Sequence, residues 1–163
     1  SYLTLRGLRT LQARLAIHQQ NARALVDVLL ASPVVARVYY PGIATHPGYS
    51  VATAQQSGYG AMISFELKGG LAAVEAFLTG LECFSLAESL GGVESLIAHP
   101  ASMTHAAMDA GARQIAGISD ALLRVSVGIE AIEDLVRDIQ NGLERTAKLT
   151  TGDGTARLAR AAC

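Results

Sequence analysis

Apolar residues recur at helical spacing through the opening of the chain. Leu5, Leu8, Leu11, Leu15, Ala22, Leu25, Val26 and Leu29 fall mostly at three- and four-residue steps, while Arg9, Arg14, Gln19, Gln20 and Arg23 occupy the other face. This pattern predicts one long amphipathic helix over residues 1–32. It stops at Ser32-Pro33, because proline disfavours helical backbone at the residue before it. Gly7 is a weak point near its start.

The period then changes. "VVARVYYPG" is rich in β-branched and aromatic residues and predicts a short strand ending at Pro41-Gly42. "IATHPGYS" predicts a loop and "VATAQQ" a short helix. In "GAMISFELKGG", Met62, Ser64 and Glu66 alternate with Ile63, Phe65 and Leu67, the signature of a strand with one buried face. "LAAVEAFLTGL" returns to helical spacing through Leu71, Val74, Phe77 and Leu78. "CFSLA" and "VESLIAH" predict short extended pieces, and "DAGARQIAG" a short helix with Asp109 as its cap. "ALLRVSVGI" predicts the main strand of the second half. The final helix, "EAIEDLVRDIQNGLERTAK", has an apolar stripe of Ile132, Leu135, Val136, Ile139 and Leu143, with Glu130, Glu133 and Asp134 as favourable N-terminal charges. Residues 148–163 are Gly/Thr-rich, then small and basic, and predict a loose tail.

Several connections are too short for parallel crossovers throughout. The expected fold class is therefore α+β: a mostly antiparallel sheet with helices on one face over residues 33–147, preceded by the long helix. That helix is expected to be an arm that packs on something outside this chain.

Composition narrows the function. Half of the 163 residues are hydrophobic, ample for a core, yet no apolar run approaches the roughly 20 residues of a membrane span. The net charge is −1 with no strong clustering, which argues against nucleic acid or an anionic membrane as partner. Cys83 and Cys163 show no metal-ligand spacing, and a bridge to the last residue is not expected, so a reducing, cytoplasmic setting follows. The chain opens on Ser1 without an initiator Met or a signal-peptide pattern, and is expected to be a processed product or a fragment.

The candidate chemistry lies in the second half. Around Glu88-Ser89-Leu90-Gly91-Gly92, paired glycines would let backbone N–H groups approach a ligand, with the Ser89 hydroxyl beside them. The stretch reads equally as a plain turn between strands. Gly91-Gly92 lacks the Lys of a phosphate loop, and no G-x-S-x-G elbow is present. Arg124 interrupts an apolar strand. It either lies on a solvated face or serves as a bidentate anion clamp, and both readings stand. His46, His99 and His105 read as structural or surface residues, His18 needs no special role, and no metal site is expected.

Taken together, "YLTLRGLRTLQAR", "GAMISFEL", "LAESLGGVESLIAHPASMTH" and "GISDALLRVSVGIEAIEDLVRDIQNGL" closely resemble the carboxyl-terminal part of the Cys/Met-metabolism family of pyridoxal-phosphate enzymes, of fold type I, over about residues 1–147. The resemblance implies a small substrate-site domain, here 33–147, joined through 1–32 to a large upstream cofactor domain, in a cytoplasmic homotetramer. The lysine that bonds pyridoxal phosphate would lie upstream. Lys68 and Lys148 do not match its motif, so the chain alone is expected to hold no catalytic or cofactor-binding residue and to be inactive. Arg124 matches the family arginine that binds the substrate's α-carboxylate. Ser89 and the backbone of Leu90 match positions lining that pocket, and Glu88 the acid that reads cystathionine's distal ammonium group. Thr104 lies in the family's "MTH" stretch near the pocket. The implied activity of the intact enzyme is γ-replacement, joining an O-acylhomoserine to cysteine as cystathionine in methionine biosynthesis. The alternatives are γ-elimination from cystathionine and, for the chain as it stands, a non-catalytic amino-acid-binding domain.

Overall fold

The computed structural model describes residues 1–160, with side chains through 149. In chain order the elements are α1 (Tyr2–Arg9), α2 (Leu11–Ala31), β1 (Val35–Tyr39), α3 (Tyr49–Gln55), β2 (Met62–Leu67), α4 (Gly70–Leu78), β3 (Ser85–Leu86), β4 (Leu96–Ala98), α5 (Ala110–Ile115), β5 (Leu122–Ser126) and α6 (Ile132–Arg160). The strands form one five-stranded sheet in the order β1-β2-β5-β4-β3. β1–β2, β2–β5 and β5–β4 are antiparallel, and only the short β3–β4 edge pair is parallel. The expected α+β class and its mostly antiparallel sheet are therefore what the chain adopts.

Alternation along β2 explains the layering. Ile63, Phe65 and Leu67 are buried, while Met62, Ser64 and Glu66 are only partly so. In register, Ile63 opposes Val125, which opposes Ile97, and Phe65 opposes Leu123. These residues make one apolar face, covered by α2, α4 and α6. α2 contributes His18, Asn21, Ala22, Leu25, Val26 and Leu29 at helical steps, and α6 contributes Leu135, Ile139 and Leu143. Full burial of each large side chain contributes about 1.5–3 kcal/mol. The opposite sheet face carries the row Tyr39–Ser64–Arg124–Ala98 across four strands. The alternation that sends Phe65 and Val125 inward thus sends Arg124 to the face opposite α2, α4 and α6.

Close packing sets one clear sensitivity. Gly142 lies on the buried face of α6, and a Cβ there would sit 2.8 Å from the Phe77 ring. Phe77 is fully buried and stands edge-on to Phe65, centroids 5.4 Å apart. Overpacking costs about 1–3 kcal/mol, against about 1 kcal/mol gained by replacing a mid-helix glycine with alanine. Gly142→Ala is therefore expected to lower the urea unfolding midpoint, and an unchanged or higher midpoint would contradict this packing.

Three features differ from the sequence reading. The opening helix is two helices. At Thr10 the backbone turns to φ −106°, ψ 3°, the Thr10 hydroxyl donates to Gly7 O at 3.3 Å, and Arg14 Nη1 donates to the same carbonyl at 3.0 Å. A side-chain hydroxyl that serves the backbone locally competes with helix continuation. α1 buries none of its residues, and Tyr2 and Leu3 are about three-quarters exposed. Second, α6 runs on to Arg160 rather than ending at Lys148. Glycines at 152 and 154 weaken a helix by about 1 kcal/mol each, but without a proline no carbonyl is sterically blocked. Residues 161–163, including Cys163, lie outside the described residues. Third, Glu130 is not a helix-terminal charge. The first turn of α6 holds Glu133 and Asp134, whereas the Glu130 carboxylate accepts the N–H of Ser95 at 2.6 Å and its hydroxyl at 2.9 Å. The cap of α5 is as expected: Asp109 accepts the N–H of Ala112.

Candidate functional site

The segment between β3 and β4 meets β5 on the sheet face opposite α2, α4 and α6. Arg124 Nη2 donates to the carbonyl of Glu88 at 2.7 Å and to that of Ser89 at 3.3 Å. Two positions along the same strand, and so on the same face, the Ser126 hydroxyl accepts the N–H of Gly91 at 2.9 Å. Gly91 takes φ +79°, a left-handed conformation that costs a glycine little and most other residues about 1–2 kcal/mol. Open space surrounds the position of its missing Cβ, so the backbone angle rather than crowding selects glycine.

The sequence left Arg124 between two readings. It is only partly buried, and its Nε is a buried donor with no hydrogen-bond partner. Leaving such a donor unpaired costs about 1–3 kcal/mol, more when charged. Beside it, the Glu88, Ser89 and Leu90 side chains are exposed. Arg124 as a whole stays partly accessible, and a planar guanidinium fork suits a carboxylate, which offers two planar acceptors. A carboxylate at Glu88 adds a group of opposite sign a short way along the same loop. Together these donors and the acid can receive a ligand that carries both an anionic and a cationic end.

Thr104 is placed differently. It lies in the turns after β4, exposed, and its hydroxyl is hydrogen-bonded to Nδ1 of the adjacent His105 at 2.8 Å. No hydrogen bond ties it to Arg124 or Ser89. His99 is buried and structural: Nε2 donates to the carbonyl of Asp120 at 3.1 Å and Nδ1 accepts from the Ser102 hydroxyl at 2.7 Å. His46 Nδ1 accepts the N–H of Gly48. No group of three or more metal-ligating side chains occurs among the described residues, and no described helix is long and apolar enough to cross a membrane.

Two residues at this wall escaped the sequence reading. Ser126 sits inside "RVSVG" with nothing to mark it except its place two residues after Arg124. Glu130 looked like any helix-start acid. A hollow of about 550 Å³ lined by Arg37, Tyr39, Glu66, Arg113 and Asp120 reaches the Arg124 row at Tyr39, but Arg124 itself does not line it. Arg113 shares the feature of a buried Nε without partner, but its Nη2 is already paired with Asp120 at 3.2 Å.

Comparison with known proteins places this architecture. The chain is 64% identical to cystathionine gamma synthase from Xanthomonas oryzae pv. oryzae, solved in complex with aminoacrylate and cysteine; the two superpose with a TM-score of 0.86 over 90% of this chain and 38% of that one. It is 53% identical over 148 residues to cystathionine gamma-synthase from Escherichia coli (strain K12), covering 91% of this chain and 38% of its relative. It is also 51% identical over 145 residues to L-methionine gamma-lyase from Fusobacterium nucleatum subsp. nucleatum, covering 89% and 37%. The chain thus spans less than two-fifths of the length of these relatives. The profile of one family, described as Cys/Met metabolism PLP-dependent enzyme, matches residues 1–144, nearly all of the chain, and the α+β architecture agrees; the chain belongs to this fold-type-I family.

Proposed function

We propose that this chain supplies the substrate-carboxylate wall of a cystathionine gamma-synthase, which joins an O-acylhomoserine to cysteine in methionine biosynthesis. The observation that carries the reading is Arg124: a partly buried guanidinium beside Ser89, with its Nε buried and unpaired. The similarity to the two synthases supports the reaction type.

In this reading Arg124 binds the α-carboxylate through its planar fork, and the Ser89 hydroxyl and the backbone at Leu90 complete the pocket edge. Glu88 receives a distal ammonium group, as cystathionine carries and methionine does not. Thr104 flanks the pocket from the turn after β4. Holding the carboxylate fixes the rotation about the substrate's Cα, an orientation effect. Pyridoxal phosphate, when bound, supplies an electron sink for charge developing at Cα. The residues here do not fit the cofactor itself. Lys68 Nζ donates to the carbonyl of Pro33 at 2.6 Å at the far end of β2, and Lys148 lies in α6 on the opposite side of the sheet. We therefore assign the cofactor and its lysine to the part of the relatives that this chain does not span, and regard the chain alone as inactive. The exposed apolar side chains of α1 suit docking on that cofactor domain, within a cytoplasmic homotetramer.

A second reading, gamma-elimination, is favoured by the similarity to L-methionine gamma-lyase. Product analysis separates the two in an enzyme of full family length carrying this sequence. Cystathionine formed from O-acylhomoserine and cysteine, faster than thiol released from cystathionine, is the expected result. Rapid thiol release with no synthesis overturns it.

A further inference from the structure

The loop that carries Glu88 and Ser89 is held along its length by one stretch of chain, residues 124–130. Arg124 takes the carbonyls of residues 88 and 89, and Ser126 takes the N–H of Gly91. Ile129 N–H donates to Val93 O at 2.9 Å. Gly128 N–H donates to the Ser95 hydroxyl oxygen at 2.8 Å, and that hydroxyl donates on to Glu130. A Cβ on Gly128 would lie 2.4 Å from Val93 O and 2.6 Å from Ser95 N, so the two backbones touch. The far end of this rail is fixed in turn by α2. Asn21 Nδ2 donates to the carbonyls of Gly128 and Glu130 at 3.1 and 3.0 Å, and His18 Nδ1 donates to Val127 O at 2.6 Å.

We propose that Glu130 is a positioning residue for the substrate wall, acting through Ser95 to fix the 88–95 loop so that Ser89 and Glu88 are held against Arg124. The proposal rests on the reading of Arg124 and Ser89 as the carboxylate site. Chemistry singles out Glu130 within the rail. The other rail contacts bring a single hydrogen bond each or arise from the wall itself, whereas both carboxylate oxygens of Glu130 are engaged with one loop residue. Ser95 is fully buried, so its N–H and O–H have no water to fall back on. Glutamine at position 130 has the same shape but cannot replace it. Its oxygen accepts the Ser95 N–H and its amide N–H₂ can donate to the second lone pair of the Ser95 oxygen, but the Ser95 hydroxyl proton then loses its acceptor and the charge is gone. Helix-end electrostatics alone would not distinguish these atoms.

The test uses the cofactor-loaded enzyme of full family length. Glu130→Gln is expected to raise KM for the amino-acid substrate by roughly tenfold, the scale of one charge-assisted hydrogen bond, with kcat changed by less than about threefold. Amide exchange of residues 89–95 should speed up by a similar factor while β2 and α4 keep their protection. The KM effect should shrink when introduced into Ser89→Ala, because a misplaced loop matters through the groups it carries and one of them is then gone. Should Glu130→Gln fail to fold, Ser95→Ala, which removes only the hydroxyl arm, must show the same pattern at smaller size. A wild-type KM in either folded variant, faster exchange without a KM change, or an undiminished effect in the Ser89→Ala background each overturns the proposal. An Arg124→Leu enzyme with normal KM overturns the site reading and this proposal together; a damaged Arg124→Leu beside a normal Glu130→Gln overturns the positioning role alone.

Discussion

On the proposed reading of Arg124 as the carboxylate site, Arg124→Leu in the enzyme of full family length is expected to lower kcat/KM for the amino-acid substrate by roughly a hundredfold or more. Removing one member of a buried, hydrogen-bonded charge pair costs about 2–5 kcal/mol, and each 1.4 kcal/mol is a factor of ten. Most of the loss should fall on KM, because the carboxylate is bound in ground and transition states alike. Part should fall on kcat, since a carboxylate held at one point leaves rotation about Cα unfixed. Arg124→Lys keeps the charge and loses the fork, so it should recover only a fraction of the difference. Folding should suffer much less. Arg124 contributes two hydrogen bonds to loop carbonyls on an accessible face, and its own Nε is unpaired. Steady-state kinetics beside a thermal midpoint checks both halves. Catalysis within about twofold of wild type in Arg124→Leu would remove this arginine from the site, because a bidentate, desolvated carboxylate contact is worth far more than a factor of two.

The sheet and its helices were legible in the sequence to the extent that they follow from period. Alternation in "MISFEL" marks Ile63, Phe65 and Leu67 as the buried set, and the structure buries them; for "LLRVS" the sequence leaves the side taken by Arg124 open, and the pairing with β2 places it opposite Ser64. The apolar spacing of α2, the stop at Pro33 and the Asp109 cap were equally readable, since each is a local matter of backbone geometry. Contacts between distant residues were not. Ser95 and Glu130 are 35 positions apart, and nothing in either neighbourhood marks them as partners. His18 and Asn21 fall on the buried stripe of α2 as polar residues, but their carbonyl partners lie more than a hundred positions away. The break at Thr10 was missed because apolar spacing continues through it, and the geometry is set by a hydroxyl and Arg14 instead. The run of α6 past Lys148 was missed because glycine content was taken as a stop, although glycine weakens a helix without blocking it.

These distant contacts have a shared logic. On the sheet face opposite α2, α4 and α6, the 88–95 loop is held by polar bonds from β5 and the turn after it. Such bonds fix a loop only if the turn is itself fixed, which is what Asn21 and His18 do from α2. The core layer thereby sets the geometry of the opposite face through three consecutive links: helix to turn, turn to Ser95, and Ser95 to the loop of Ser89.

Asp138→Ala is expected to be the most damaging single change to folding among polar positions, at about 3–5 kcal/mol. Asp138 is buried on α6, and its two carboxylate oxygens accept the backbone N–H groups of Glu82, Cys83 and Phe84 at 2.8–3.2 Å. Those residues lead from α4 into β3, a segment with no helix or ladder to satisfy its amides. Alanine would leave three donors unpaired around an apolar methyl, and each unpaired buried donor costs about 1–3 kcal/mol, reduced where the segment relaxes toward water. Asp138→Asn should be milder, because its one oxygen still accepts while its amide N–H₂ opposes the remaining donors. A second signature separates charge from shape. Burial pushes the Cys83 thiol above its ordinary range, and the charges of Asp138, Asp134 and Glu130 push it further. Negative charge disfavours the thiolate, so removing it in Asp138→Asn should lower the Cys83 titration and speed its alkylation at pH 8, measured in a Cys163→Ser background. Urea unfolding and the alkylation rate together give the test. An Asp138→Ala midpoint close to wild type, or an Asp138→Asn thiol that titrates as before, would mean that this carboxylate does not organise the turn into β3.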